Sequence, residues 1–262
     1  MKTRLQVVSP GVLRREKILR IQVLRKVFRV GDAYLNVLED IDFSVEKGEL
    51  ICILGRSGCG KSTLLKILAG FVPPTAGHVF LRGEPVVRPG PDRGVVFQED
   101  ALFPWLTVEE NIAFGLRRHG WSRKQRDEEV NRYLSMVGLS EFRDYLPREI
   151  SGGMKQRVAL ARVLILQPQV LLMDEPFAAL DAQTREEMQR LMLSLWERLS
   201  HTILFVTHDV TEAVTLADRI LLMGKDPGRI REDIPVDLPR PREKDSEAFV
   251  RFYRRLMEGL RG

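Results

Sequence analysis

The sequence predicts an α/β domain with a helical segment inserted in it, on three observations. A compact apolar run, Glu49–Leu54, ends in a glycine-rich loop, and helical spacing begins at Lys61. Strand, loop, helix is the opening unit of an α/β domain. The stretch from about 100 to 165 then carries helix signals, and from Val170 onward strand and helix patterns alternate again.

Taken in order, residues 1–17 lack periodicity and read as a loose basic extension. From Ile18 to about Val45 come β-rich runs, broken by Gly31 and Asp32. After the Glu49–Leu54 strand, Leu64, Leu65 and Leu68 give a helix that Gly70, Pro73 and Pro74 close. Thr107 with Glu110, and Ser122 with Gln125, are capping boxes; the second helix runs to Gly138. Pro147 is expected to end a third segment. Ser151 can cap a helix that begins near Met154 and stops by Pro168. Val170–Met173 and Thr202–Thr207 are strands. Between them Met188, Leu191, Met192, Leu195 and Leu199 form one apolar helix face. Val210–Ala217 is a helix and Arg219–Met223 a strand. The domain therefore spans 18–236, and 237–262 is a charged, proline-rich tail ending in a helix-like piece, Glu247–Leu260.

Composition narrows the function classes. The chain has 262 residues and a net charge of +5. Residues 1–30 hold nine Lys/Arg against Glu16 alone, or +8, so residues 31–262 sum to −3. The basic character belongs to the N-terminus, and the rest offers no basic groove for nucleic acid. No apolar run approaches the ~18–20 residues of a membrane span, and no signal-peptide pattern opens the chain. We expect it to be made and kept in the cytosol. Two cysteines, Cys52 and Cys59, form neither a disulfide framework nor a zinc site.

The chemistry starts at Gly55. Gly55, Arg56, Ser57, Gly58, Cys59, Gly60, Lys61 and Ser62 match G-x-x-x-x-G-K-[ST], with Thr63 following. Glycines let backbone N–H groups turn inward as a nest for phosphate oxygens, and the helix start adds its dipole. Lys61 supplies a cation for the β- and γ-phosphates, and Ser62 a hydroxyl for Mg²⁺. This is the pattern of a P-loop NTPase. Cys59, beside Lys61 in this nest, is expected to be thiolate-rich. Further on, four apolar residues place Asp174 at a buried strand end, where its carboxylate can join the Mg²⁺ shell. Glu175 follows, placed to act on an attacking water as general base.

Ile150, Ser151, Gly152, Gly153, Met154, Lys155, Gln156 and Arg157 decide among P-loop enzymes. A Ser-capped helix explains Ser151 but not two glycines, which cost helix stability. The segment closely resembles the LSGGQ signature of ATP-binding-cassette (ABC) ATPases, with Ile150 and Met154 as departures. On the same resemblance, Gln98 is similar to the Q-loop glutamine, which reaches the metal and the attacking water. The run Ala178–Asp181 is similar to the D-loop, His208 to the switch histidine, and Phe28 to the aromatic that stacks on adenine, with Tyr34 nearby as a rival. The likeness covers about residues 20–235. It implies a RecA-like core with an antiparallel β subdomain and an inserted α-helical subdomain.

It also implies a mechanism. Two cassettes stack head to tail, each ATP lying between one P-loop and the other copy's Ser151, Gly152 and Gly153. Transmembrane permease subunits would dock near the Q-loop, a region that includes Phe97–Pro104 and Trp105. One cassette without a membrane span is the arrangement of prokaryotic-type importers, working at the cytoplasmic face of the inner membrane. Val95–Asn111, Ile150–Gln156 and Asp226–Ile230 look most like the ATPases of the nitrate, sulfonate and taurine importers, which are served by a solute-binding protein. A soluble ABC ATPase acting on DNA or ribosomes is the opposing reading. Such proteins usually carry two cassettes or a long coiled coil, which 262 residues do not accommodate.

Overall fold

The computed structural model describes residues 16–99, 101–118 and 121–261. The basic extension up to residue 15 lies outside the described residues, as does Asp100.

Two sheets and seven α-helices make up the described chain. Strands β1 (Lys17–Val30) and β2 (Ala33–Glu46) form a long antiparallel hairpin that turns at Gly31 and Asp32. Strands β4 (Ala76–Leu81) and β5 (Glu84–Pro85) extend it to four strands in the order β2-β1-β4-β5. The second sheet runs β10-β9-β3-β8-β7-β6. Its members are β3 (Leu50–Gly55), β6 (Arg93–Val96), β7 (Val170–Asp174), β8 (Thr202–Thr207), β9 (Arg219–Gly224) and β10 (Arg229–Pro235). All neighbours pair in parallel except β10, which is antiparallel on the edge.

The parallel strands are apolar on both faces because both faces are covered. Leu50, Cys52 and Leu54 of β3 enter one core, and Ile51 and Ile53 enter the other. Strands β7, β8 and β9 divide their residues the same way, the period-2 consequence of the pleat. The first core lies against helices α4 (Gly152–Leu164), α5 (Ala182–Leu199), α6 (Val210–Leu216) and α7 (Glu247–Arg261). The second lies against α1 (Lys61–Leu68) and the hairpin sheet.

Between β6 and β7 the chain is helical: α2 (Val108–Ala113), α3 (Arg123–Met136) and α4, with short 3₁₀ turns between. Both capping boxes close as the sequence requires, at Thr107 and Ser122. Pro147 differs from expectation. It opens a 3₁₀ turn, Pro147–Glu149, rather than ending a segment, because a proline at a first helical position forfeits no hydrogen bond. Helix α4 starts at Gly152, not Met154, with Ser151 accepting from the Met154 amide at 3.3 Å.

Residues 237–261 fold back onto the core. Arg240 Nη1 donates to Asp218 Oδ1 at 2.7 Å, and Arg242 Nη1 donates to the Val214 and Ala217 carbonyls at the end of α6. Helix α7 then buries Phe249 and Leu256. Its last turn reaches the back of the phosphate loop. There Arg56 and Cys59 share a cavity of about 200 Å³ with Gly259, Leu260 and Arg261. No helix among the described residues is long and apolar enough to cross a membrane.

Candidate active site

Sheet register assembles the site. Leu54 pairs with Thr207, and Asp174 with Val206, so Gly55, Asp174 and His208 arrive at the same edge. This is the carboxyl edge of the parallel strands, where open α/β sheets bind ligands.

The phosphate loop connects β3 to α1. Gly58 and Gly60 sit at φ 81° and 99°, in the left-handed region that favours glycine. Gly60 is also crowded: a Cβ there would come within 2.7 Å of Leu38 on β2. The β1–β2 hairpin is therefore packed beside the loop. Lys61 is 4% exposed, and its ammonium donates to the Gly55 and Arg56 carbonyls at 2.9 and 3.3 Å.

Beside it stand the two acids. Ser62 Oγ donates to Asp174 Oδ1 at 2.9 Å. Burial pushes the Asp174 carboxyl up, and the Ser62 hydrogen bond opposes that. Glu175 occupies the left-handed region at φ 46°, a conformation of the kind that costs ~1–3 kcal/mol and clusters at functional sites. Its amide donates to the Val206 carbonyl at 3.0 Å, which anchors the turn to β8. Its carboxylate lies 3.4 Å from Lys61 Nζ and accepts from His208 Nδ1 at 2.6 Å. Lys61, Ser62, Asp174, Glu175 and His208, named from sequence, thus stand together.

The remaining named residues fall elsewhere. Ser151, Gly152 and Gly153 open α4, which packs on α2, α5 and β6. Gly153 has an internal reason to be glycine, because a Cβ would collide with Thr184 of α5. Gly152 has none: nothing lies within 4 Å of where its Cβ would be. Gln98 is exposed and shares a cavity of about 590 Å³ with Gly152, Gln156, Pro176 and Leu180. Asp181 caps α5, accepting from the Thr184 amide at 3.0 Å. Phe28 faces Leu35 in the hairpin, with Lys26 Nζ 4.7 Å from its ring centre. Tyr34, at the hairpin tip, is 76% exposed. Arg56, Ser57 and Gly58 are exposed, and Thr63 lies in the first turn of α1.

Cys59 corrects an expectation. It is buried, its Sγ close beneath Gly55, where a Cβ would meet it at 2.7 Å. Burial raises the thiol above its ordinary value, outweighing the nearby Lys61 charge. The side chain is part of the second core.

Several contacts were not anticipated from sequence. Gln156 is buried on α4 and donates to the Pro176 carbonyl, joining that helix to the segment after Glu175. Thr207 and Glu212 are buried and hydrogen-bonded behind His208 at 2.6 Å. The available signal was a polar residue on an otherwise apolar helix face, as at Glu212.

Comparison with known proteins gives the family. Residues 38–178 match the family model described as ABC transporter. The chain is 48% identical to a nitrate import ATP-binding protein of Synechocystis sp. over 236 residues, 90% of this chain and 89% of that one. It is 45% identical to an aliphatic sulfonates import ATP-binding protein of Bacillus cereus, over 91% of this chain and 94% of that one. Among solved structures, the dimeric post-hydrolysis ATP-binding cassette MJ0796 bound to ADP and Pi superimposes with a TM-score of 0.74 at 29% identity, covering 85% of this chain and 100% of that one. By family match and by relatives of nearly equal length, the chain belongs to the ABC transporter family, as an ATP-hydrolysing subunit.

Proposed function

We propose that this ABC importer ATPase powers uptake of a small anionic solute, of the nitrate, sulfonate or taurine class, through separate membrane subunits. The cluster of Lys61 and His208 on the Glu175 carboxylate, beside Ser62 and Asp174, carries the hydrolytic part of the reading. Glu175 is assigned as general base for the attacking water, His208 as its orienting partner, and Lys61 as the cation for the γ-phosphate. Ser62 and Asp174 offer a hydroxyl and a carboxylate 2.9 Å apart, the hard oxygen donors that fit Mg²⁺. Bound there, Mg²⁺ neutralises phosphate charge. Gln98 is assigned to the same shell from the neighbouring loop. The two relatives named for nitrate and aliphatic sulfonate import support the solute class.

The subunit is proposed to work as a homodimer. Ser151 and Gly152 lie at the start of a helix that packs on α2, α5 and β6, and Gly152 is open above its Cα. A phosphate held by a second copy can approach there. A dimeric relative supports the pairing. Membrane subunits would receive the motion through the loop carrying Trp105, which is 71% exposed. On this reading the protein works peripherally at the cytoplasmic face of the membrane, with a solute-binding protein serving the far side.

Proteoliposomes containing the chain and the permease that co-purifies with it, with the solute-binding protein that this permease takes, test the proposal. ATP hydrolysis should rise with nitrate or an aliphatic sulfonate and not with a sugar or an amino acid. A response to sugars alone would reject the solute class.

A further inference from the structure

We infer that Arg185 is a positioning residue that ties the loop bearing Leu180 and Asp181 to the loop bearing His208, and so sets the histidine against Glu175. The inference rests on the hydrolytic reading of that pair.

Arg185 lies in the first turn of α5, within reach of three groups. Its Nη2 donates to the Leu180 carbonyl at 2.9 Å. Its Nη1 stands 3.7 Å from Asp209 Oδ2, and its Nε 3.8 Å from Glu212 Oε1. Glu212 is only 4% exposed, so its charge requires a compensating cation. The other Glu212 oxygen accepts from Thr207 Oγ1 at 2.6 Å, and Thr207 Oγ1 in turn accepts from the Asp209 amide at 3.0 Å. Both neighbours of His208 in sequence are therefore fixed to the Arg185–Glu212 pair. The imidazole itself is more than half exposed, with Glu175 as its hydrogen-bond partner. Its direction is set by the flanking backbone. Glu175, His208 and Arg185 also line one cavity of about 40 Å³. The guanidinium thus donates one hydrogen bond, to Leu180, and stands at ion-pair distance from two carboxylates; a lysine ammonium on its flexible stem is not held in that fork geometry.

The test uses the full chain carrying Arg185→Gln or Arg185→Lys. We expect Arg185→Gln to lower kcat for ATP hydrolysis about tenfold while KM for ATP stays within about twofold, with Arg185→Lys intermediate. The imidazole NMR signals of His208, identified by their loss in His208→Gln, should shift in Arg185→Gln while those of His78 and His201 stay in place. An unchanged kcat, a rise in KM alone, or a fall in kcat with the His208 signals unmoved would overturn the inference. If Arg185→Gln does not fold, as judged by thermal melting, Arg185→Lys decides on the same readouts. Failure of the underlying reading is separate: it shows as wild-type turnover in Glu175→Gln, whatever the His208 signals do.

Discussion

His208 donates through Nδ1 to Glu175 Oε2 at 2.6 Å, from a loop that follows β8 to a turn that follows β7. The two strands are neighbours, and Glu175 is held in the left-handed region by its own amide bond to Val206. The carboxylate is thus oriented by backbone and imidazole together, with Lys61 on its other oxygen. Glu175→Gln keeps the shape of the side chain and removes its basicity. Turnover should fall by ~10²–10⁴, the usual contribution of a general base. ATP should still bind and should hold two copies together, seen as an ATP-dependent dimer on gel filtration. Wild-type turnover would move the base to another residue, and an ATP-bound monomer would count against the paired arrangement.

The Cys59 thiol is predicted to be slow toward alkylation. The side chain is buried under Gly55, and burial holds the thiol above 9.0. Since the thiolate is the reactive form, native-state labelling at pH 8 should run at least about tenfold slower than in the unfolded chain. Mass spectrometry of the peptide containing Cys59 follows the rate. Labelling as fast as in the unfolded chain would show that the loop presents the sulfur outward.

What the sequence made legible follows from how local the chemistry is. The phosphate loop, Asp174 and Glu175 lie in consecutive residues whose types the chemistry demands, so their places could be read directly. The α5 face was readable because its apolar residues, Met188 to Leu199, recur at helical spacing over about three turns. Strand β10 was not, since Arg229–Pro235 is an edge strand with only Ile234 fully buried and carries no apolar run. The seating of α7 was hidden for another reason. An amphipathic helix reveals which face is apolar, not what that face will meet. Cys59 failed similarly, because a motif fixes a residue's place in a loop and not the direction of its side chain. At Gly153 a local cause was hidden too: Thr184 excludes a side chain there, independently of any ligand.

Burial of Glu212 predicts a pH-dependent term in stability. Desolvation raises its carboxyl above the ordinary 4.5, against the Thr207 hydrogen bond and the Arg185 charge. In the window that opens at 4.5 and extends upward, the folded state keeps a proton that the unfolded chain has released. Stability from this group is therefore lost as pH rises through that window. Glu212→Gln removes the titration and should gain on the wild type with rising pH. Urea unfolding of both proteins from about pH 4.5 to 7 measures the difference. A difference constant with pH would place the Glu212 value at its ordinary position.

Asn111 offers the last test, because its side chain builds the loop that carries Trp105. It is fully buried on α2, and Oδ1 accepts from the Phe103 amide at 2.9 Å. Nδ2 donates to the Phe103 and Leu106 carbonyls at 3.2 and 2.9 Å. One side chain thus closes both ends of residues 103–106, and Trp105 projects from the closed loop. Asn111→Ala leaves these backbone groups without their partner and should cost about 1–3 kcal/mol in unfolding experiments. The hydrolytic cluster belongs to other elements, so basal ATP hydrolysis by the isolated chain should persist. Stimulation by the membrane subunits should be lost, because the surface proposed to meet them no longer has a fixed shape. Comparing the variant's hydrolysis alone and with its permease in proteoliposomes separates the two effects. Stimulation retained at the wild-type level would show that the Trp105 loop takes no part in coupling.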